Sequence, residues 1–201
     1  MQLPCHWAYY LYRSRQSERP TRDVYRLGVE ALARHEYAQA IKHLEPLAQA
    51  NDTRALFALG RLYATASGAL RNESEALKLY TRAAERGHAE AQYALGTFYA
   101  DGRGVAANPL QAAQWYEQAA TRGIPEAANS LGRLYENGIG VGADNEKAIE
   151  WYYRAALAYK KAGRREDAEA IIRHLDNLAR QYPAVLGLVT RLRQTLATAG
   201  K

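Results

Sequence analysis

A block of 36 residues recurs three times in the middle of this chain, in register. Leu59-Gly60, Leu95-Gly96 and Leu131-Gly132 are spaced by 36, as are Tyr63, Tyr99 and Tyr135. The same spacing links Ala76, Ala112 and Ala148, then Tyr80, Tyr116 and Tyr152, then Ala84, Ala120 and Ala156. A fixed period of this length marks a solenoid, whose units bury their apolar faces only by stacking on their neighbours. Chains of this kind offer an extended surface to a partner and rarely enclose a reaction pocket. The period therefore constrains how the protein works more than whom it serves.

Each unit reads as helix–turn–helix. Ala91, Leu95 and Phe98 step by four and three and so line one helical face. The glycine after each repeated leucine costs a helix about 1 kcal/mol relative to alanine. Its recurrence at one place in three units predicts a packing reason, the close approach of another helix. Asp101-Gly102-Arg103-Gly104-Val105 and Asn137-Gly138-Ile139-Gly140-Val141 break the first helix and reverse the chain. Asn108-Pro109 and Asp144 are N-cap starts of the second helix. At 64–70 the turn keeps its length but loses the paired glycines. Tyr159 stands in place of a unit-ending glycine, which predicts that the helix starting near Asp144 runs on to about Lys161.

The ends are less regular. Tyr25 to Ile41 repeats the theme in shorter form, with 32 residues from Gly28 to Gly60. Downstream, a turn at Gly163 leads into a helix ending near Tyr182-Pro183. A last amphipathic piece, Val185 to Leu196, puts Val185, Leu188, Val189, Leu192 and Leu196 on one side. Trp7, Tyr10 and Leu11 suggest a short helix covering the first layer. Terminal solenoid units are expected to be atypical because they present a polar outer face. The expected organisation is an N-terminal extension or capping helix at 1–20, a leading unit at 21–52, three repeats at 53–157 and a helical cap at 158–201.

The repeat resembles the Sel-one-like family, a subgroup of the tetratricopeptide superfamily. The resemblance is carried by Ala89, Ala91, Leu95, Gly96, Tyr99, Gly102, Gly104, Val105, Ala112, Trp115, Tyr116, Ala119, Ala120 and Gly123. It is carried again by Ala127, Leu131, Gly132, Tyr135, Gly138, Gly140, Val141, Lys147, Ala148, Trp151, Tyr152, Ala155 and Ala156. It covers 53–157, loosens toward ordinary tetratricopeptide units at 21–52 and 158–183, and does not extend to 1–20. It implies an all-α fold, a right-handed superhelical solenoid of antiparallel helix pairs. It also implies adaptor or scaffold work, often in bacterial envelope or signalling pathways.

Composition fits helix stacking: two Phe and one Met, but fifteen Tyr, with 48% hydrophobic residues overall. Tyrosine fills gaps between helices and keeps a polar tip for water or a backbone group. The net charge of +6 is concentrated at the ends, where residues 1–22 carry +3 and residues 158–201 carry +5. A pI near 9.4 gives an alternative reading, the binding of an anionic polymer or membrane surface through those ends. Against nucleic acid, Lys160, Lys161, Arg164, Arg165, Arg173 and Arg180 fall at intervals on helical sequence and read as a solvated face. No stretch is long and apolar enough to span a membrane. With one cysteine, Cys5, there is no internal disulfide framework. No secretory signal is legible near Met1, so the expected compartment for the chain as given is a reducing cytoplasm. A periplasmic or lipoprotein placement would need a start upstream, although Leu3-Pro4-Cys5 faintly resembles the end of a lipoprotein signal.

Candidates for chemistry reduce to structural roles. The paired glycines lack the preceding strand and the following Lys-Ser/Thr of a phosphate loop. His6, His35, His43, His88 and His174 show no metal-ligand spacing. Trp115-Tyr116 and Trp151-Tyr152 read as packing between layers. No nucleophile-and-base set is present, so no catalytic residue, cofactor or metal is expected. A cysteine-rich branch of the resembled family is linked to β-lactam binding or hydrolysis. Its paired cysteines are missing here.

What varies over the constant framework is the better functional signal. On the first helix of each unit the second, fifth and ninth places share a stripe, which in tetratricopeptide relatives faces the concave groove. Here it reads Arg54, Phe57 and Arg61, then Glu90, Tyr93 and Thr97, then Glu126, Asn129 and Arg133, with Arg22, Tyr25 and Val29 leading. Aromatic and Arg side chains among polar neighbours are the composition of an interface hot spot. The expected partner is a protein or peptide held in that groove, with Arg61 and Arg133 available for carboxylates. Oligomeric state is left open.

Overall fold

The computed structural model describes residues 22–198. The cap expected around Trp7, Tyr10 and Leu11 lies outside the described residues, as does Cys5. Among the described residues there are α-helices and short 3₁₀ turns and no strands, the helices packing in consecutive antiparallel pairs. The described residues form two compact units, one up to Arg86 and one from Gly87 onward.

The first unit contains α1 (residues 22–33), α2 (Tyr37–Gln49), α3 (Thr53–Thr65) and α4 (Glu73–Glu85). Asp52 caps α3 by accepting the backbone N–H groups of Arg54 and Ala55, and Asn72 caps α4 by accepting that of Glu75. The glycine-poor turn ahead of α4 is solved by a 3₁₀ turn, Gly68–Leu70, that closes without a second glycine. The Arg82 guanidinium of α4 donates to the Ala48 carbonyl and to Asn51 Oδ1, both at 2.9 Å, and so pins α4 to the end of α2. Leu44, Leu56, Leu59, Leu62 and Tyr80 form the core together with a large share of alanine.

The second unit contains α5 (Ala89–Asp101), α6 (Pro109–Thr121), α7 (Pro125–Asn137), α8 (Asn145–Lys161), α9 (Arg165–Gln181) and α10 (Leu186–Thr198). The capping expectations hold: Asn108 and Asp144 accept the N–H groups of Gln111 and Lys147, and Pro109 opens α6. Gly102 and Gly138 end α5 and α7 in the left-handed conformation, at φ 70° and 65°. As expected from Tyr159, α8 runs to Lys161, with 17 residues against 13 in α6. Val185 and Val189 of the last amphipathic piece are buried.

The repeated glycine has the expected packing role. Inside each helix pair, a Cβ placed on Gly60, Gly96 or Gly132 would meet the ring of Tyr80, Tyr116 or Tyr152 at 2.6–2.9 Å. Glycine on the first helix and tyrosine on the second are two halves of one joint. Trp151 is buried and Trp115 half-buried, in line with their reading as packing residues.

Candidate functional site

The joint determines what lies beside it. In the first unit Phe57 is half-buried with its ring 5.8 Å from that of Tyr80. Arg54 is exposed and forks onto the Asp52 carboxylate, at 2.6 Å and 3.1 Å, with its guanidinium 4.7 Å over the Tyr25 ring. That side-chain hydrogen bond holds the Asp52 carboxyl below the usual carboxylate range. Two stripe residues from α1 and α3 are thereby in contact. Arg61 is exposed and has no ion pair among the described residues. On α1, Arg22 is exposed and Val29 half-buried.

The second unit uses its stripe differently at each place. Tyr93 repeats the aromatic pairing, 5.7 Å from Tyr116. Thr97 accepts the Tyr116 hydroxyl at 3.3 Å and donates to the Tyr93 carbonyl at 3.2 Å. Its hydroxyl is engaged inside the fold. Glu90 is exposed, 3.3 Å from His88 Nδ1, the nitrogen that also accepts the N–H of Ala91 at the helix start. Glu126 is paired to Arg164, which also reaches Asp167 at 2.8 Å and covers the Tyr159 ring at 4.6 Å.

Asn129 stands where the other two repeats carry an aromatic ring. Asn129 and Arg133 line an open pocket of about 360 Å³ with Glu136, Asn137, Tyr152, Ile171 and His174. Glu136 Oε2 accepts the Tyr152 hydroxyl at 2.5 Å and lies 3.0 Å from His174 Nε2, and the His174 ring meets Tyr152 edge-on at 4.8 Å. Sequence reasoning did not select Glu136, Tyr152 or His174 as pocket residues. A signal for Glu136 existed, because Ala64 and Ala100 occupy its place in the sister repeats.

Burial raises the phenol pKa of Tyr152 well above its ordinary range, reinforced by the adjacent Glu136 carboxylate, and pushes that of Tyr159 up to about 12. A phenol in the unfolded chain ionises near pH 10. The stabilisation is therefore complete below about pH 10 and is lost as pH rises toward and beyond about 12. Thermal melts are expected to hold a constant Tm up to about pH 10 and then fall steeply. Tyr152→Phe should blunt that fall, and a Tm that stays flat to pH 12 in the unaltered protein would contradict the burial.

The basic C-terminal residues are not an unopposed anion surface. Arg164, Arg165 and Arg193 are ion-paired with Glu126 and Asp167, Glu169 and Asp176 respectively. No helix among the described residues is long and apolar enough to cross a membrane.

Three consecutive matches to the Sel1 repeat model cover residues 53–88, 89–124 and 125–160, more than half of the chain. Among solved structures, the chain is similar to a Sel1 repeat protein from Oxalobacter formigenes at 28% identity and a TM-score of 0.63. That match spans 78% of this chain and 70% of the other. It is also similar, at 24% identity and a TM-score of 0.66, to a protective antigen present in uropathogenic Escherichia coli strains displaying an SLR fold. There the match spans 87% of this chain and 41% of that one, so the likeness is one of fold. No curated protein matches the sequence.

Proposed function

The chain belongs to the Sel1 repeat family, and we propose that it is a non-enzymatic scaffold that holds a protein or peptide along the first-helix faces of its repeats. Sel1 repeat proteins are in general protein-interaction scaffolds. In this reading residues 21–52 act as a leading unit, 53–157 carry the ligand-bearing repeats, 158–201 close the array, and 1–20 are an extension.

One observation carries the reading: within a constant Gly–Tyr framework, the stripe presents half-buried aromatics beside exposed charge. Phe57 and Tyr93 each rest on a framework tyrosine, which limits their motion and lowers the entropy cost of contact. Arg54 and Arg61 stand exposed on the stripe of the first unit, and Arg133 on that of the second. Rigid aromatics flanked by arginine are what interface hot spots are made of. Arg54, Glu126 and Thr97 contribute less, since their polar groups are already paired within the chain.

The test is the double change Phe57→Ala and Tyr93→Ala. Helicity should be retained, while recovery of a native partner by quantitative affinity capture should fall at least tenfold, at about 2 kcal/mol per anchor. The milder pair Phe57→Leu and Tyr93→Phe should keep most of the binding. Undiminished capture by a folded double variant would remove the proposal.

A further inference from the structure

In the first two repeats the stripe aromatic closes the space over the framework tyrosine, Phe57 over Tyr80 and Tyr93 over Tyr116. In the third repeat Asn129 is too small to do so, and the vacated space is the pocket bounded by α7, α8 and α9. Most of its lining residues carry a polar group beside apolar surface, and some of those groups are pre-arranged. Tyr152 and His174 both direct hydrogen-bonding groups to Glu136 Oε2, so one oxygen of that lining carboxylate is engaged within the pocket. Arg133, one helical turn before Glu136 on the same helix, is exposed, lines the pocket and has no ion pair among the described residues. Asn137 donates its amide to the Arg133 carbonyl and so supports the backbone at that point. Ile171 supplies an apolar side.

We infer that this pocket receives a carboxylate of a peptide ligand, with Arg133 as its charge partner and Asn129 as a neutral amide donor. A guanidinium and an amide N–H offered from one helical face, one turn apart, match the two oxygens of a carboxylate. The His174 ring borders the same space and is held there by its contact with Glu136. Arg61 occupies the same stripe place in its own repeat. There Phe57 fills the position that Asn129 vacates.

This inference rests on reading the first-helix faces as ligand-bearing, but its test needs no protein partner. The ¹⁵N-labelled full chain is titrated with N-acetylglutamate α-amide, which carries a side-chain carboxylate, and with N-acetyl-alanyl-alanine, which carries a C-terminal one. N-acetylglutamine amide serves as the neutral probe. Saturable shifts of the Asn129 side-chain amide and the Arg133 Nε–H in the millimolar range are expected for at least one carboxylate. The better binder identifies the source of the group. Arg133→Gln should weaken that binding at least tenfold without changing the circular dichroism, while Arg165→Gln, an exposed change on α9 outside the stripe, should leave it intact. Absence of shifts, non-saturating shifts of equal size at Arg61, equal response to the neutral probe, or indifference to Arg133→Gln would each overturn the assignment. A flat titration beside a Phe57→Ala, Tyr93→Ala variant that loses its partner would remove the pocket and leave the scaffold. Saturable binding beside an unimpaired double variant would do the reverse.

Discussion

Gly96→Ala is expected to destabilise the second unit by about 1–3 kcal/mol, although alanine is the better helix former. The new Cβ would lie 2.6 Å and 2.7 Å from Cδ1 and Cε1 of Tyr116. Those are ring atoms, not the free end of a flexible chain. The ring is further restrained by the Tyr93 ring beside it and by the hydroxyl bond to Thr97. Either the tyrosine leaves its rotamer or α5 backs away from α6. Both outcomes lose packing along the helix pair. Gly187→Ala is the internal comparison. Gly187 lies in α10 with no atom within 4 Å of a built Cβ. There the change should stabilise by up to about 1 kcal/mol through helix propensity alone. Urea unfolding of the two variants should move the midpoint in opposite directions. A stabilised Gly96→Ala protein would mean that the close approach of the two helices is absent in solution.

The close approach at the repeated glycine was legible because it recurs at 36 and the penalty of a mid-helix glycine demands a steric reason; that the recurring tyrosine is its partner appears only in the fold. The caps at Asn108 and Asp144 and the extension of α8 past Tyr159 were legible for the same kind of cause, since each rests on backbone chemistry within a few residues. The pocket was not legible. Asn129 and Arg133 were visible on the stripe, but Glu136 acquires its role only when α9 brings His174 to it, 38 residues away and outside the period. The capture of Glu126 by Arg164, also 38 residues on, was hidden for the same reason. Gln92 is an intermediate case. It is 1% exposed, donates to Gln118 and accepts from Arg122, at a place where the sister repeats have Leu56 and Ala128. A glutamine breaking an apolar column is detectable from sequence; its partners, Gln118 on α6 and Arg122 just past its end, are not.

Tyr152→Ala carries the largest expected loss, about 3–5 kcal/mol, because it removes a whole ring from a site that cannot collapse around the gap. Tyr152 is 1% exposed and closes against Gly132 on one side and the His174 edge on another. Its hydroxyl gives the Glu136 bond at 2.5 Å, so the residue joins α7, α8 and α9 through both shape and polarity. Tyr152→Phe separates the two contributions. It keeps the ring, removes one charge-assisted hydrogen bond, and should cost about 1.5–3 kcal/mol. Among the described residues Glu136 then keeps its contact with His174 alone, so combining Tyr152→Phe with Glu136→Gln should cost less than the sum of the single changes. Denaturant unfolding of the four proteins measures that coupling directly. If Tyr152→Phe proved as damaging as Tyr152→Ala, the hydroxyl rather than the ring would dominate. Exact additivity with Glu136→Gln would show that the two groups do not share a bond in solution.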